Sequence, residues 1–141
     1  MPPIRVTSLL ATELDEALVL AQLGAVDLDP EAWRRETLAL MSEAPRGGVL
    51  LARSRAGRAC GLLHYRIQEV SESAPCLQVD RLVAFDLTEP RRIADRLIAE
   101  VARLARLQHC ESLRLVRPLD CPADASALVL ASGVADLHSV F

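Results

Sequence analysis

Three strand-like runs in succession, at residues 49–54, 59–70 and 76–85, constrain the fold more than any other feature of this sequence. The turn Arg55-Ala56-Gly57-Arg58 joins the first two runs, and its glycine suits the positive φ that tight hairpins require. Strands joined by a hairpin pair antiparallel. A helix and another strand follow the third run, and this β-α-β unit requires a right-handed parallel crossover. The sheet is therefore mixed, which excludes a doubly wound dinucleotide-binding fold.

The helix after the third run has the clearest helical periodicity in the chain. We predict that Thr88 opens it and that Pro90 lies in its first turn. Its apolar residues form one stripe: Ile93, Leu97, Val101, Leu104 and Ala105. Three charged residues on its outer side are spaced for weak surface ion pairs: Arg96, Glu100 and Arg103. Residues 113–116 then form the parallel strand.

Two shorter helices precede the three runs. Residues 4–10 form a first strand, and Thr12 caps a helix that ends at Gly24. Asp29-Pro30 is a second helix start, with an N-cap residue before a proline. One side of this second helix carries four residues at helical spacing: Trp33, Thr37, Leu40 and Met41.

The end of the chain completes the predicted fold. We predict a helix at residues 123–131, stopped by Gly133, and a last strand at residues 136–141. The whole is one domain over residues 1–141, with the element order β-α-α-β-β-β-α-β-α-β. Its class is α/β (α+β), with a mixed, mostly antiparallel central sheet flanked by helices.

The faces of the two long strands differ in polarity. On the second run, one face is apolar (Gly61, Leu63, Tyr65, Ile67) and the other is mixed (Cys60, Leu62, His64, Arg66, Gln68). On the third run, strict alternation places Leu77, Val79, Val83 and Phe85 on one face and Gln78, Asp80, Leu82 and Ala84 on the other. Arg81 interrupts the first of these faces. We expect the apolar faces to meet helices and the mixed face to meet solvent or a ligand.

Composition excludes several classes of protein. The chain has 141 residues, the size of one domain, and its net charge of −3 argues against a nucleic-acid partner. It contains no lysine, which removes Schiff-base chemistry and the P-loop lysine. No apolar run approaches the ~20 residues that a membrane span needs. The first residues lack the layout of a secretion signal, so we expect a cytoplasmic protein.

The cysteines and histidines do not have the spacing of a metal site. Cys60, Cys76, Cys110 and Cys121 form no C-x-x-C pair, and the three histidines are scattered along the chain. We expect each cysteine to be a reduced, buried small hydrophobe.

The element order resembles that of the GNAT-superfamily acetyltransferases over nearly the whole chain. The matching features are the two early helices, the hairpin Val49-Leu50-Leu51-Ala52 … Cys60-Gly61-Leu62-Leu63, and the strand Leu82-Val83-Ala84-Phe85 that runs into a loop and a long helix. The resemblance implies a GNAT fold and acetyl-CoA as the acyl donor. It also implies N-acetyl transfer to a small amine or a peptide amine, and the mixed charges near Arg66, Glu69 and Asp80 suit either acceptor.

The family binds the cofactor's pyrophosphate with a Q/R-x-x-G-x-G/A loop at a helix N-terminus, where backbone N–H groups and the helix dipole favour an anion. Here that pattern falls on Glu89-Pro90-Arg91-Arg92-Ile93-Ala94, and only Ala94 matches it. In one interpretation, Arg91 and Arg92 replace the lost backbone contacts with guanidinium contacts. In the other, the loop has lost CoA binding and both arginines form an ordinary solvated first turn.

The family's general acid, a tyrosine on the late helix, is also missing. Val129 stands at its position, and Ser126, Ser132 and Cys121 are the alternative donors. Tyr65 is predicted to be a core residue. The candidate general bases are Asp80 and Glu69, although Asp80 also suits an ion pair with Arg66 or Arg81.

A backbone route needs neither acid nor base from a side chain. The resemblance implies that the pantetheine arm pairs with the strand at Leu82 and Val83, whose N–H groups would then stabilise the oxyanion.

Two other interpretations remain open. One is a catalytically silent GNAT-like domain that binds a ligand or a protein partner. The other is an unrelated mixed α/β domain, in which residues 134–141 form an edge strand that a second copy covers in a homodimer.

Overall fold

A computed structural model of the protein describes residues 4–25, 27–69, 75–86, 90–118 and 127–136. For residues 115–118 and 127–136 it describes the backbone alone. Within these residues the chain forms six strands: β1 (Arg5–Ser8), β2 (Gly47–Arg53), β3 (Ala59–Gln68), β4 (Cys76–Phe85), β5 (Ser112–Pro118) and β6 (Ala127–Asp136). The α-helices are α1 (Leu14–Gly24), α2 (Pro30–Met41) and α3 (Pro90–Leu107). A short 3-10 turn, Ala11–Glu13, precedes α1.

The strands form one mixed sheet in the order in which they occur along the chain. β1 to β4 are joined antiparallel, β4 pairs parallel with β5, and β5 pairs antiparallel with β6. The sheet confirms the predicted fold class, since the hairpins give antiparallel pairs and the β4-α3-β5 unit gives the parallel one.

The predicted helix at residues 123–131 is wrong. Residues 127–136 form β6, whose backbone pairs with both β4 and β5. A short apolar run such as Ala-Leu-Val-Leu-Ala suits a buried strand as well as a helix, and the two strand edges beside it decide the outcome. Gly133 consequently lies inside a strand. Asp136 ends β6, so the strand predicted to begin there lies outside the described residues, as do residues 123–126.

The sheet separates two hydrophobic cores. One core lies between the sheet and α3, whose buried stripe contains Ile93, Leu97, Val101 and Ala105, as predicted. The other lies between the sheet and the α1–α2 pair, where Trp33, Thr37 and Leu40 of α2 are buried. Three of the cysteines, Cys60, Cys76 and Cys110, are free and buried as expected, while Cys121 lies outside the described residues.

The predicted faces of β4 are wrong beyond Val79, because β4 contains a β-bulge. Tyr65 pairs with Val79 and His64 pairs with Arg81, which leaves Asp80 as an extra residue that is not opposite any residue of β3 in the backbone pairing. The extra residue shifts the alternation by one. Leu82 and Ala84 therefore join Leu77 and Val79 in the core under α3. Gln78, Asp80 and Arg81 face the α1–α2 side, so the arginine that interrupts the predicted face marks the bulge.

The helix starts follow two different capping arrangements. Asp29 caps α2 as predicted, since its Oδ1 accepts a hydrogen bond from the Glu31 N–H at 3.1 Å. Thr12 does not cap α1, because it lies inside the 3-10 turn. Glu13 instead accepts from the Leu10 N–H at 2.8 Å. Thr88 lies outside the described residues, and α3 begins at Pro90.

Gly61 allows α3 to lie close against the sheet. A Cβ at this position would lie 2.6 Å from Ile93 Cγ2 and 2.9 Å from Leu97 Cδ1. We expect Gly61→Ala to lower the free energy of unfolding by about 1–3 kcal/mol, because overpacking displaces buried side chains. Urea unfolding measures the change. In an Ile93→Ala background the added methyl should lower the free energy of unfolding by less. An equal loss of stability in both backgrounds would show that the methyl does not press against Ile93.

Arg53, on β2, forms hydrogen bonds that link β2 to the 3-10 turn and to α1. Its guanidinium donates to Glu13 Oε2 at 2.6 Å, to Glu16 Oε1 at 2.7 Å and to the Gly57 carbonyl at 2.8 Å. These hydrogen bonds hold the pKa of Glu13 and of Glu16 below its usual value of 4.5. Both carboxylates therefore add stability above that pH and lose it as the pH falls through their folded pKa values.

We expect Arg53→Gln to be less stable than the parent at pH 7 by about 1.5–3 kcal/mol, the usual contribution of hydrogen bonds to charged groups. The difference should shrink as the pH falls from 4.5 toward 3, because the parent then loses the same interaction. Urea unfolding over this range tests it. Arg103→Gln is the control, since Arg103 pairs with Glu100 on the surface. A difference that does not depend on pH would contradict the expectation.

Candidate active site

A polar cleft of about 130 Å³ lies between α2 and the sheet. The described residues that line it are Trp33, Glu36, Thr37 and Leu40 of α2, His64 and Arg66 of β3, and Asp80 and Arg81 of β4. The bulge in β4 creates this arrangement, because it turns two consecutive residues, Asp80 and Arg81, toward the same face. We call this site the polar cleft.

Asp80 is held in the polar cleft by two neighbours. Arg66 Nε donates to Asp80 Oδ2 at 3.0 Å, and Gln78 Nε2 donates to Asp80 Oδ1 at 2.7 Å. The ion pair that the sequence suggests for Asp80 is therefore present, with Arg66 as the partner. About 30% of the Asp80 side chain remains exposed, so it is also reachable by a ligand.

Three residues that line the polar cleft carry a buried polar atom with no hydrogen-bond partner in the described part of the chain. The atoms are Trp33 Nε1, Thr37 Oγ1 and His64 Nε2. The three side chains are 2%, 0% and 9% exposed. Leaving buried polar groups unpaired costs free energy, so three of them around one cleft point to a site kept for a ligand or for water.

His64 remains neutral in this setting. Burial is the main cause that lowers its pKa from 6.5 to about 3, and the charges of Arg81 and Arg66 contribute to the same shift. Its ring meets that of Trp33 edge to face, with 6.1 Å between the centroids. The polar cleft therefore contains an uncharged imidazole between two arginines.

Glu69, the second candidate base, does not reach the polar cleft. It lies just beyond the end of β3, its side chain is 67% exposed, and it forms an ion pair with Arg46. Of the two carboxylates, Asp80 is the one that lines the polar cleft. Trp33 and Thr37 were not candidates, because in the sequence they belong to the apolar stripe of α2. The only feature of the sequence that could have indicated a site here was the polar Thr37 in that otherwise apolar stripe.

A second cleft, of about 110 Å³, lies on the opposite face of the sheet beside the first turn of α3. Its lining residues are Ile4, Ser54, Arg55, Cys60, Asp86, Arg92 and Ile93. We call it the α3 cleft. It combines two arginines with a helix N-terminus, which is a suitable setting for an anion.

The first turn of α3 carries four of the six predicted cofactor residues, and they differ in what each can contribute. Pro90 has no N–H, so the backbone donors left over by the helix in its described first turn are those of Arg91 and Arg92. The Arg92 side chain lines the α3 cleft, and that of Arg91 is exposed. The side chains of Ile93 and Ala94 are buried in the core.

β4 and β5 separate at the bulge. They pair only over Cys76–Val79 of β4 and 112–115 of β5. Beyond this point β6 takes the place of β5, with Leu82 opposite Leu130 and Val83 opposite Val129. The edge of β4 at which the resemblance places a pantetheine arm is therefore paired with β6 backbone.

Several solved structures with a similar fold are acetyltransferases. The aminoglycoside N-acetyltransferase AAC(6')-Iy, in complex with CoA, aligns with a TM-score of 0.69 and 18% identity over 80% of this chain and 76% of that one. AAC(6')-Ih from Acinetobacter baumannii gives 0.66 and 23% over 79% and 77%. The ribosomal-protein-alanine N-acetyltransferase from Brucella melitensis biovar Abortus 2308 gives 0.64 and 18% over 79% and 78%.

The chain has the GNAT acetyltransferase fold. The sequence matches no model of a known protein family, and no curated protein matches it. At these identities the likeness shows the GNAT fold alone. Among the described residues of this fold, no helix is long and apolar enough to cross a membrane, and no three metal-binding side chains cluster.

The GNAT fold of this chain has no tyrosine at the family's usual position. Val129, which stands there, lies on β6 opposite Val83 rather than on a helix. Ser132 also lies on β6, while Ser126 and Cys121 lie outside the described residues. Tyr65 is a core residue as predicted, only 7% exposed, and burial raises its pKa.

We expect His64 to make folding stability depend on pH between 6.5 and 3. In that range the unfolded chain binds a proton that the folded chain does not, so stability falls as the pH falls. The slope should reach about 1.4 kcal/mol per pH unit, and His64→Gln should remove it. Urea unfolding at pH 5 and pH 7 compares the two proteins. Equal slopes would show that His64 is accessible to protons in the folded state.

Proposed function

We propose that this protein transfers an acetyl group from acetyl-CoA to the nitrogen of a small amine or a peptide amine. The observation that carries the proposal is the placement of two clefts on opposite faces of the sheet in a GNAT fold. The α3 cleft offers cationic groups, while the polar cleft offers a carboxylate, Asp80. A donor and an acceptor can then approach the same strand from opposite sides. A homodimer and a cytoplasmic location stay predictions.

The α3 cleft fits the anionic part of acetyl-CoA. Arg55 and Arg92 bring two positive charges to it, and the backbone N–H groups of Arg91 and Arg92 add donors at the positive end of the helix dipole. Ile93 and Ala94 contribute through packing, because their buried side chains hold this turn against the sheet. Asp86 is the one acidic side chain among the described residues that line this cleft.

Asp80 is our proposed general base. When bound, acetyl-CoA supplies a thioester whose C–S bond breaks as the amine's C–N bond forms, and the proton lost by nitrogen ends on the departing thiol. The acceptor enters as an ammonium ion, so it must first lose a proton to become nucleophilic. Arg66 and Gln78 fix the Asp80 carboxylate for this step. Glu69 is the weaker candidate, because Arg46 holds it outside the polar cleft.

A second candidate function follows from the pairing of β4 with β6. A catalytically silent domain would keep the GNAT fold and the polar cleft, and would use the cleft for a ligand or partner. The occupied edge at Leu82 and Val83 favours this alternative, since those backbone groups are where the donor's arm is expected. Binding of acetyl-CoA separates the two functions.

We expect acetyl-CoA to bind and Arg92→Ala to weaken its binding about tenfold, which corresponds to about 1.4 kcal/mol. Isothermal titration calorimetry measures both. Arg103→Ala is the matched control, because it removes the same charge from the other end of α3. Absence of binding at millimolar acetyl-CoA would exclude the enzyme and leave the silent domain. If binding occurs, Asp80→Asn should lower the rate of amine acetylation while leaving acetyl-CoA affinity unchanged.

A further inference from the structure

We propose that the polar cleft binds a small zwitterion, a molecule that carries an amine and a carboxylate, as a free α-amino acid does. Its role as the acetyl acceptor rests on the proposed function, whereas the binding itself does not. The argument comes from the charges that line the polar cleft and from the buried polar groups around it.

The charges in the polar cleft balance in a specific way. Among the residues that the structure describes, two arginines and two carboxylates line it, and one of each, Arg66 and Asp80, pair with each other. Arg81 and Glu36 remain, and neither forms an ion pair with another residue that the structure describes. One unpaired cation and one unpaired anion in the same small cavity complement a ligand that carries both signs.

The neutral histidine strengthens this match. His64 stays uncharged beside the arginines, so it adds no positive charge to the polar cleft. A carboxylate is then attracted to Arg81, and an ammonium group to Glu36 and Asp80. A polycationic acceptor would have to place a positive charge beside Arg81, which has no ion-pair partner among the described residues. A simple amine would leave Arg81 without a partner.

The unpaired buried groups indicate that a polar ligand completes the site. Trp33 Nε1 is a donor only, while the Thr37 hydroxyl and the neutral His64 ring can each donate or accept. These atoms are covered in the protein without a ligand. We therefore expect a ligand to shift the lining side chains as it enters, so that oxygen and nitrogen atoms of the ligand replace the missing partners.

Trp33 provides a direct measurement, because it is the only tryptophan in the chain. We would titrate the protein with each of the twenty L-amino acids in the absence of acetyl-CoA and follow Trp33 fluorescence, with calorimetry as the second readout. For the amino acids other than tryptophan, a saturable change is expected for at least one. L-alanine, ethylamine and propionate form a matched set in which the second lacks the carboxylate and the third lacks the amine. Both analogues should bind at least tenfold more weakly than a bound amino acid.

Arg81→Gln should weaken amino-acid binding at least tenfold, while Arg35→Gln, which removes the same charge from the exposed side of α2, should not. Urea unfolding checks that both variants fold. The proposal is overturned if no amino acid binds below about 10 mM, if ethylamine or spermidine binds as tightly as any amino acid, or if Arg81→Gln has no effect. Failure of acetyl-CoA to bind would overturn the enzyme and leave these results intact.

Discussion

One extra residue in β4, Asp80, decides which side chains reach each face of the sheet. With regular alternation, Leu82 and Ala84 would face α2 and Arg81 would point into the core under α3. A buried, unpaired arginine in that core would cost several kcal/mol. The bulge removes this conflict by placing Val79 and Leu82 on the same face, with two residues between them turned the other way.

The same bulge makes the polar cleft and the separation of β4 from β5. Asp80 and Arg81 face α2 because of it, and the parallel pairing of β4 with β5 stops at Val79. The arrangement leaves Trp33 Nε1, Thr37 Oγ1 and His64 Nε2 without a hydrogen-bond partner among the described residues, and a buried polar group without a partner costs free energy. Functional sites commonly carry such a cost while the rest of the fold supplies the stability. Here the packed α3 face and the Arg53 hydrogen bonds supply it.

The parts of the fold that the sequence predicts are those set by local pattern. The stripe of α3, the cap at Asp29 and the hairpin at Gly57 each depend on residues close together in the chain, and each is present. β6 was missed because its apolar run fits a helix as well, and only distant strands decide between them. Asp80 was a candidate because a general base for an amine would be a carboxylate on the central strands, and the structure places it beside the polar cleft. Trp33 and Thr37 were missed because their spacing on α2 is that of ordinary core residues.

The outer edge of β4 has two possible occupants, and it cannot pair with both at once. Four residues of β6 pair with residues 82–85 of β4. A net contribution of about 0.5–1.5 kcal/mol for each backbone hydrogen bond means that freeing this ladder costs a few kcal/mol. A donor whose arm must pair with this edge can bind only those molecules in which β6 has left it. Its apparent affinity is therefore the intrinsic affinity multiplied by the fraction of such molecules. In the described part of the chain, the residues that line the polar cleft come from α2, β3 and β4, so a ligand that contacts them does not need the edge that β6 occupies. The two halves of the proposed reaction thus depend on different parts of the fold, and each can be measured without the other.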